Sequence, residues 1–234
     1  MSSYHYTGVD ALEVMSKYAP NHNQSIEKLL IKNLKFDESS QSLKILEFGA
    51  GKGEFILRFI SRKNLELFAV EIDPKFIKDL SNKIKVFRSI DEVPDGLDCI
   101  YLIDVLEHLE NDQFILNCFY KKLKKGGRIF IYVPARMELF SSFDKKIGHF
   151  RRYEIDELKD KTEKAGFTIE IIRYHELLGY AASWLNKHLI NKEDLNPSAV
   201  KFYDRFLVPI TNFIEKFMTV PVGKSIYLSA IRKE

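Results

Sequence analysis

Residues 45 to 55 read ILEFGAGKGEF, an acidic residue near the end of a β-rich run followed by Gly49, Gly51 and Gly53 at alternate positions. Glycines let the backbone turn sharply and come close to a ligand, and a helix that follows presents free N–H groups to a negative group. A second acidic residue, Glu71, ends the next apolar run some twenty residues further on, where a carboxylate can bind both hydroxyls of a ribose. Together the two landmarks point to a ligand that contains a nucleoside. A dinucleotide fingerprint would place its third glycine at position 54, which is Glu54, so an NAD-dependent oxidoreductase is the weaker reading. A further group of titratable residues follows, Asp104, Glu107 and His108 in IDVLEHL and His149 in GHFRRY. A histidine titrating near neutrality suits removal of a proton from an acceptor hydroxyl or amine. The plainer alternative is that DVLEHL caps the next helix with His108 buried against backbone, and that His149, Arg151, Arg152 and Tyr153 form a structural latch in which Arg152 pairs with a carboxylate.

The elements that must position these residues alternate. Apolar runs at 44 to 48, 66 to 72, 84 to 88, 98 to 103 and 127 to 133 predict strands. Helical patterns at 54 to 63, 74 to 82 and 111 to 124 lie between them. This alternation predicts an α/β fold, a doubly wound and mostly parallel sheet with helices on both faces. Beyond it the pattern predicts a loop at 134 to 152, a helix at 154 to 165, a strand at 167 to 175, a helical insertion over 176 to 223 and a last strand in SIYLSAI. Residues 1 to 42 read as a helical extension with Pro20 between two helices, and Tyr18 and His22 are candidates to line a lid.

The 234 residues correspond to one domain, and 45% hydrophobic, 13% aromatic and 29% charged residues exclude a disordered, collagenous or coiled-coil chain. A formal net charge of +3 is too small to argue nucleic-acid binding. Cys99 and Cys118 lie in apolar stretches without CxxC spacing and read as reduced core residues, so neither a disulfide framework nor a zinc site is suggested. The N-terminus lacks a basic start followed by an apolar run, and no window approaches the roughly 18 apolar residues of a membrane span, so the expected location is cytoplasmic.

The loop at 45 to 55, VEID at 70 to 73, IDVLEHL at 103 to 109 and KKGGRIFIYVPA at 124 to 135 resemble the class I S-adenosylmethionine-dependent methyltransferases over most of the chain. DKKIGHFRRY at 144 to 153 and VPVGKSIYLSAIRK at 220 to 233 resemble a bacterial group of that family whose acceptors are mostly unassigned. The resemblance implies a Rossmann-like seven-stranded sheet with its last strand antiparallel beside the fifth, and S-adenosylmethionine as cofactor with S-adenosylhomocysteine as product. It implies that Gly49, Ala50, Gly51 and Gly53 cradle the methionine part with Glu47 near its ammonium group, and that Glu71 holds the ribose. It further implies that Ile72, Ser89 and Ile90 border the adenine, that Asp104 stands at the mouth of the acceptor site, and that His149 faces the acceptor. Asp104 and His149 are therefore the catalytic candidates. Methyltransferases of quinone biosynthesis and of small-RNA 3′ ends carry E-x-x-E-H after the fourth strand and bind a divalent ion there. Asp104, Glu107, His108 and His149 resemble that set with a shorter first carboxylate, and no metal is expected, these four being the candidates if one binds.

The resulting expectation is one methyltransferase domain over 1 to 234: a lid at 1 to 42, a cofactor-binding core at 43 to 175 and 224 to 234, and an insertion at 176 to 223. It would move a methyl group to an O or N atom of a small molecule such as a sugar or lipid-linked metabolite. The insertion mixes Trp184, Phe202, Tyr203, Phe206, Phe213 and Phe217 with Lys187, Lys192, Lys201, Arg205 and Lys216, which fits an acceptor cover, a dimer interface or a basic amphipathic surface for a membrane or anionic lipid-linked substrate. Packing on the sheet is the bland alternative. The partners expected are a small-molecule acceptor, no DNA, RNA only weakly indicated by the basic loop at 145 to 152, and a monomer or homodimer. A cofactor-binding module without turnover and an RNA methyltransferase remain the alternatives.

Overall fold

A computed structural model describes residues 8 to 35, 42 to 190 and 195 to 233. Residues 1 to 7 and 36 to 41 of the expected lid, 191 to 194 of the expected insertion, and residue 234 lie outside the described residues.

Seven strands form one sheet: β1 (Leu43–Phe48), β2 (Leu65–Val70), β3 (Lys85–Phe87), β4 (Leu97–Ile103), β5 (Leu123–Pro134), β6 (Thr168–His175) and β7 (Ser225–Ile231). Their order is β3-β2-β1-β4-β5-β7-β6, with β7 antiparallel to both neighbours and the other pairings parallel. Alternate residues of the central strands serve two cores. Leu46, Ile100, Leu102, Ile129, Ile131 and Val133 point to one face; Ile45, Cys99, Tyr101, Phe130 and Tyr132 point to the other. Both faces are covered, which is why these strands read as continuous apolar runs. The two cysteines are free, as the sequence predicts, and Cys99 is buried.

The helices are α1 (Val9–Tyr18), α2 (Pro20–Leu34), α3 (Pro74–Ser81), α4 (Asp112–Lys122), α5 (Ser142–Lys146), α6 (Ile155–Lys164), α7 (Leu177–Leu185), α8 (Pro197–Phe202) and α9 (Val208–Phe217). The first face is covered by α4 and α6 through Phe119 and Leu158. The second is covered by α2, whose Ile26, Leu30 and Leu34 are no more than 1% exposed. The expected lid therefore divides: α2 is a core helix, and α1, which buries no residue fully, lies over the glycine loop.

Three other expectations are corrected. The helix expected at 54 to 63 is a run of turns with one 3₁₀ turn at Ile56–Phe59. Gly49, Gly51 and Gly53 all hold positive φ, and Glu47 rather than a preceding turn accepts from the Ile56 N–H, so no regular helical ladder starts there. α4 ends two residues early because Leu123 is already extended as the first residue of β5 and paired with Leu97 of β4. The expected loop after β5 contains α5, started by a reciprocal capping box between Ser141 and Asp144.

Candidate functional site

The glycine loop runs from the end of β1 and crosses the end of β2. Gly49 (φ +75°) is required by close approach as well as by conformation, since a Cβ there would lie 2.5 Å from a methyl of Val105. Glu71, at the end of β2 and 8% exposed, closes the loop. Its Oε2 accepts from the Gly51 N–H at 2.6 Å, and Oε1 accepts from the N–H groups of Ile72 (2.7 Å) and Asp73 (2.8 Å). These three bonds leave one lone-pair position on Oε2 for a further donor. Asp73 caps α3 through the Lys75 N–H, which holds the turn after Glu71 in place.

A cavity of about 370 Å³ opens beside this loop. At one end it is lined by Glu47, Gly49, Ala50, Gly51, Glu71, Ile72 and Phe76, and α1 covers it with Leu12, Met15 and Ser16. Gly53 is not among the lining residues; a Cβ there would strike Leu80 and Leu57, so this glycine serves the packing of α3 on the loop. Ser89 and Ile90 also stand outside the lining. Ser89 caps the turn at 90 to 92, and Ile90 is buried in the core beside Leu46 and Phe68. Phe76 and residues of α1 line this end of the cavity.

Glu47 is 3% exposed and accepts from the Ile56 N–H (2.9 Å) and the Tyr101 hydroxyl (3.3 Å). Burial outweighs both bonds and pushes its carboxyl up to about 8.

The far end of the cavity is polar. Asp104 follows β4 in the left-handed region (φ +51°), held by its N–H to the Tyr132 carbonyl. Asp104 lines the cavity and is solvent-exposed there. Desolvation by the surrounding walls raises its pKa, and His22, Lys224 and His149 offset part of the rise. His149 lines the same end, its Nδ1 2.9 Å from Asp144 Oδ1 and its Nε2 3.5 Å from Glu107 Oε1. Asp144 also accepts from Arg152 Nε (2.9 Å) and Nη2 (3.2 Å). Burial pushes the Asp144 carboxyl upward, but the His149 hydrogen bond and the Arg152 guanidinium outweigh it and hold the group well below the usual carboxylate range.

Glu107 and His108 occupy the 3₁₀ turn Leu106–His108. Glu107 is fully buried, and its two oxygens are the only buried side-chain polar atoms without a hydrogen-bond partner among the described residues. Burial, and after it the nearby Asp104, raise its pKa well above the ordinary value. His108 Nδ1 lies 3.2 Å from the Gly148 carbonyl oxygen, and its ring meets His149 edge-on at 4.6 Å; burial lowers its pKa to about 4. Ligand-capable atoms of Glu107, His108 and His149 lie within 4.8 Å of one another, a mixed carboxylate and imidazole set with the chemistry to hold a divalent cation. Asp104 does not belong to that group.

The latch reading holds at the same loop. Tyr153 is fully buried, donating to Asp112 Oδ2 (2.8 Å), and Arg151 pairs with Asp112 at 2.9 Å. Both arginines of the loop at 145 to 152 are thus committed to carboxylates, which removes much of the basic footprint that suggested RNA.

Sequence reasoning missed the other wall. Glu176, at the corner between β6 and α7, adopts φ +65° and is 3% exposed. Its carboxylate receives the hydroxyls of Tyr132 (3.1 Å), Ser225 (2.9 Å) and Tyr203 (3.2 Å) and faces His22 Nε2 at 3.3 Å. Burial works against its charge, but Lys224 and His22 win and hold it well below the ordinary carboxylate range. Glu176 and Lys224 line the cavity; Glu176 sits in no motif singled out above, Lys224 lies within the segment at 220 to 233 without having been given a role, and the pairing of β6 with β7 brings the two together. His22 lines the cavity as the lid reading allowed, and Tyr18 does not. Asp204, in the segment joining α8 to α9, positions His22 by accepting from the N–H groups of Asn21 (3.2 Å) and His22 (2.8 Å) at the start of α2.

A parallel sheet with one antiparallel strand next to β5, a glycine loop after β1 and an acidic residue after β2 define the Rossmann-like methyltransferase class. The chain matches the family model described as a methyltransferase domain over residues 18–171 and belongs to that family, the S-adenosylmethionine-dependent methyltransferases of class I. S-adenosylmethionine is its cofactor, and the cradle at Gly49 to Gly51 with Glu71 beside it fits such a ligand.

Solved structures share the fold at low identity. A Haloferax volcanii complex of the Trm112 methyltransferase activator with a methyltransferase matches at 12% identity and TM-score 0.63, covering 98% of this chain and 95% of that one. A SAM-dependent methyltransferase from Archaeoglobus fulgidus matches at 19% and 0.60, covering 94% and 99%. Phosphoethanolamine N-methyltransferase 2 of Haemonchus contortus, in complex with S-adenosyl-L-methionine, matches at 16% and 0.62, covering 100% of this chain and 58% of that one. No curated protein matches the chain.

Proposed function

We propose that the chain transfers a methyl group to an O or N atom of a small-molecule acceptor seated at the polar end of the cavity, with His149 receiving the acceptor's proton. The observation that carries this reading is the continuity of one cavity from the glycine loop and Glu71 to Asp104, His149, His22 and Lys224. Helix α1, the sheet, the loop around α5 and Leu195 of the 176 to 223 segment all contribute to that cavity, which supports one domain.

S-adenosylmethionine supplies an electrophilic methyl group on a sulfonium, and the protein's share is binding, alignment and exclusion of water. Gly49, Ala50 and Gly51 bring backbone close to the methionine part, Glu71 offers its remaining lone pair to the ribose, and Ile72 with Phe76 gives the adenine an apolar wall. Asp144 Oδ1 can accept from His149 Nδ1–H, which leaves Nε2, 3.5 Å from Glu107 Oε1, as the proton-accepting atom of a side chain that lines the cavity. Asp104 orients the acceptor beside it. The polar far end weighs against a cofactor-binding module without turnover, which needs no such wall.

Glu71→Gln tests the cofactor half. The amide would present an N–H to the loop's own N–H donors, and losing a charge-assisted hydrogen bond costs about 1.5–3 kcal/mol. S-adenosylmethionine affinity by calorimetry should fall by roughly ten- to a hundredfold with the far-UV spectrum unchanged. Unchanged affinity would remove Glu71 from the cofactor site.

Glu47 yields a second test. Its carboxyl is protonated at pH 7 in the free protein, and a cationic ammonium beside it favours the carboxylate. Cofactor binding should release a proton at pH 7, and affinity should rise with pH toward about 8 and then level off. Calorimetry in two buffers of different ionisation enthalpy reads the proton directly; in Glu47→Gln the release should vanish.

A further inference from the structure

The least ordinary surface of the molecule is the outer face of the run from α8 to α9. Phe202, Phe206, Ile210, Phe213 and Phe217 are spaced by four, four, three and four residues, the spacing of one helical face, and they are between 50% and 70% exposed. The rings pair along that face, Phe202 with Phe206 at 5.1 Å and Phe213 with Phe217 at 5.2 Å. An isolated exposed phenylalanine needs no explanation, whereas five large apolar side chains in one stripe form a contact surface.

The charges sort by face. Lys201, Arg205 and Lys216 are exposed, and Arg205 and Lys216 lie over the rings of Phe206 and Phe217. Between Pro197 and Met218 the acidic residues are Asp204 and Glu215, and both turn inward. Asp204 accepts from the N-terminus of α2, and Glu215 accepts from the Leu177 N–H at 2.8 Å. The outer face thus combines an aromatic stripe with cations and carries no exposed carboxylate among these residues.

We propose that this face is a membrane-contact surface that seats the protein on an anionic lipid bilayer. An amphipathic helix with Phe on one side and Lys or Arg at its flank lies in the interfacial plane, its apolar side chains among the acyl chains and its cations at the lipid phosphates. Charge complementarity selects this occupant over a second copy of the chain, because a two-fold contact through the same face would bring the cations Lys201, Arg205 and Lys216 of both copies into one interface with no exposed carboxylate of that face to pair with them. No helix among the described residues is long and apolar enough to cross a membrane, so the contact is peripheral. Seating is independent of which acceptor the cavity takes, because none of these side chains lines the cavity.

Co-sedimentation of the full chain with vesicles tests the proposal, comparing pure phosphatidylcholine with a 7:3 mixture of phosphatidylcholine and phosphatidylglycerol. The protein should pellet with the anionic vesicles, remain in the supernatant with the neutral ones, and lose most binding in high salt. The triple variant Lys201→Glu, Arg205→Glu, Lys216→Glu should bind anionic vesicles at least about a hundredfold more weakly. Phe213→Ser with Phe217→Ser should also weaken binding to them. Both should keep wild-type cofactor affinity, which shows that they fold and separates this test from that of the methyltransferase site. Absence of vesicle binding by the wild type, or equal binding by the variants, would overturn the proposal. So would a wild-type dimer that the phenylalanine variant converts to monomer without any vesicle binding.

Discussion

His149→Ala should lower kcat by about 10²–10⁴-fold, the range expected for loss of a positioned general base, while S-adenosylmethionine affinity stays within about twofold of wild type. His149 lines the far end of the cavity, away from the glycine loop, so its removal spares the cofactor contacts. Full turnover in the variant would leave His149 as a latch residue alone.

Asp144→Asn should destabilise the fold by about 3–5 kcal/mol, because it leaves the buried Arg152 guanidinium without its counter-charge. For a chain of this size that lowers Tm by on the order of 10 °C. The carboxylate is fully buried, so solvent does not screen the loss. Its pKa is lower in the folded protein than in the unfolded chain, so the wild type holds this stabilisation above the ordinary carboxylate pKa of about 3.9 and loses it as pH falls through the folded value. The gap in Tm between wild type and variant should therefore be full at pH 6 to 7 and narrow below pH 4. A Tm within about 2 °C of wild type at neutral pH would mean that the capping box, not the charge, matters at this position.

The two predictions depend on the sequence to different degrees. The glycine loop and Glu71 were legible because their chemistry is local: alternate glycines at a strand end and an acid at the next one are tied to adjacent parallel strands, which alternating apolar runs predict. His149 was legible as a residue type near a latch, with Arg152 expected to find a carboxylate. That the carboxylate is Asp144 follows from the α5 capping box, which the pattern of the chain did not predict.

Ser89 and Ile90 show the opposite limit. Their position after β3 agreed with a family pattern, but the direction of a side chain at a short strand's end is set by its neighbours, and Ile90 turned into the core. The doubly wound sheet and the glycine loop with Glu71 could be read from the chain because short apolar runs alternate with helical patterns and the loop glycines sit within a few residues of one another, while the antiparallel last strand was implied by the family resemblance. The polar far wall of the cavity came from packing alone. His22 lies near one end of the chain and Glu176 and Lys224 toward the other, and they meet through the antiparallel entry of β7 and the capping of α2 by Asp204, contacts that no local spacing records. The outward aromatic stripe was decided there too, since the same i, i+4 spacing serves a buried face equally well and only packing chose which side of the helix stayed open.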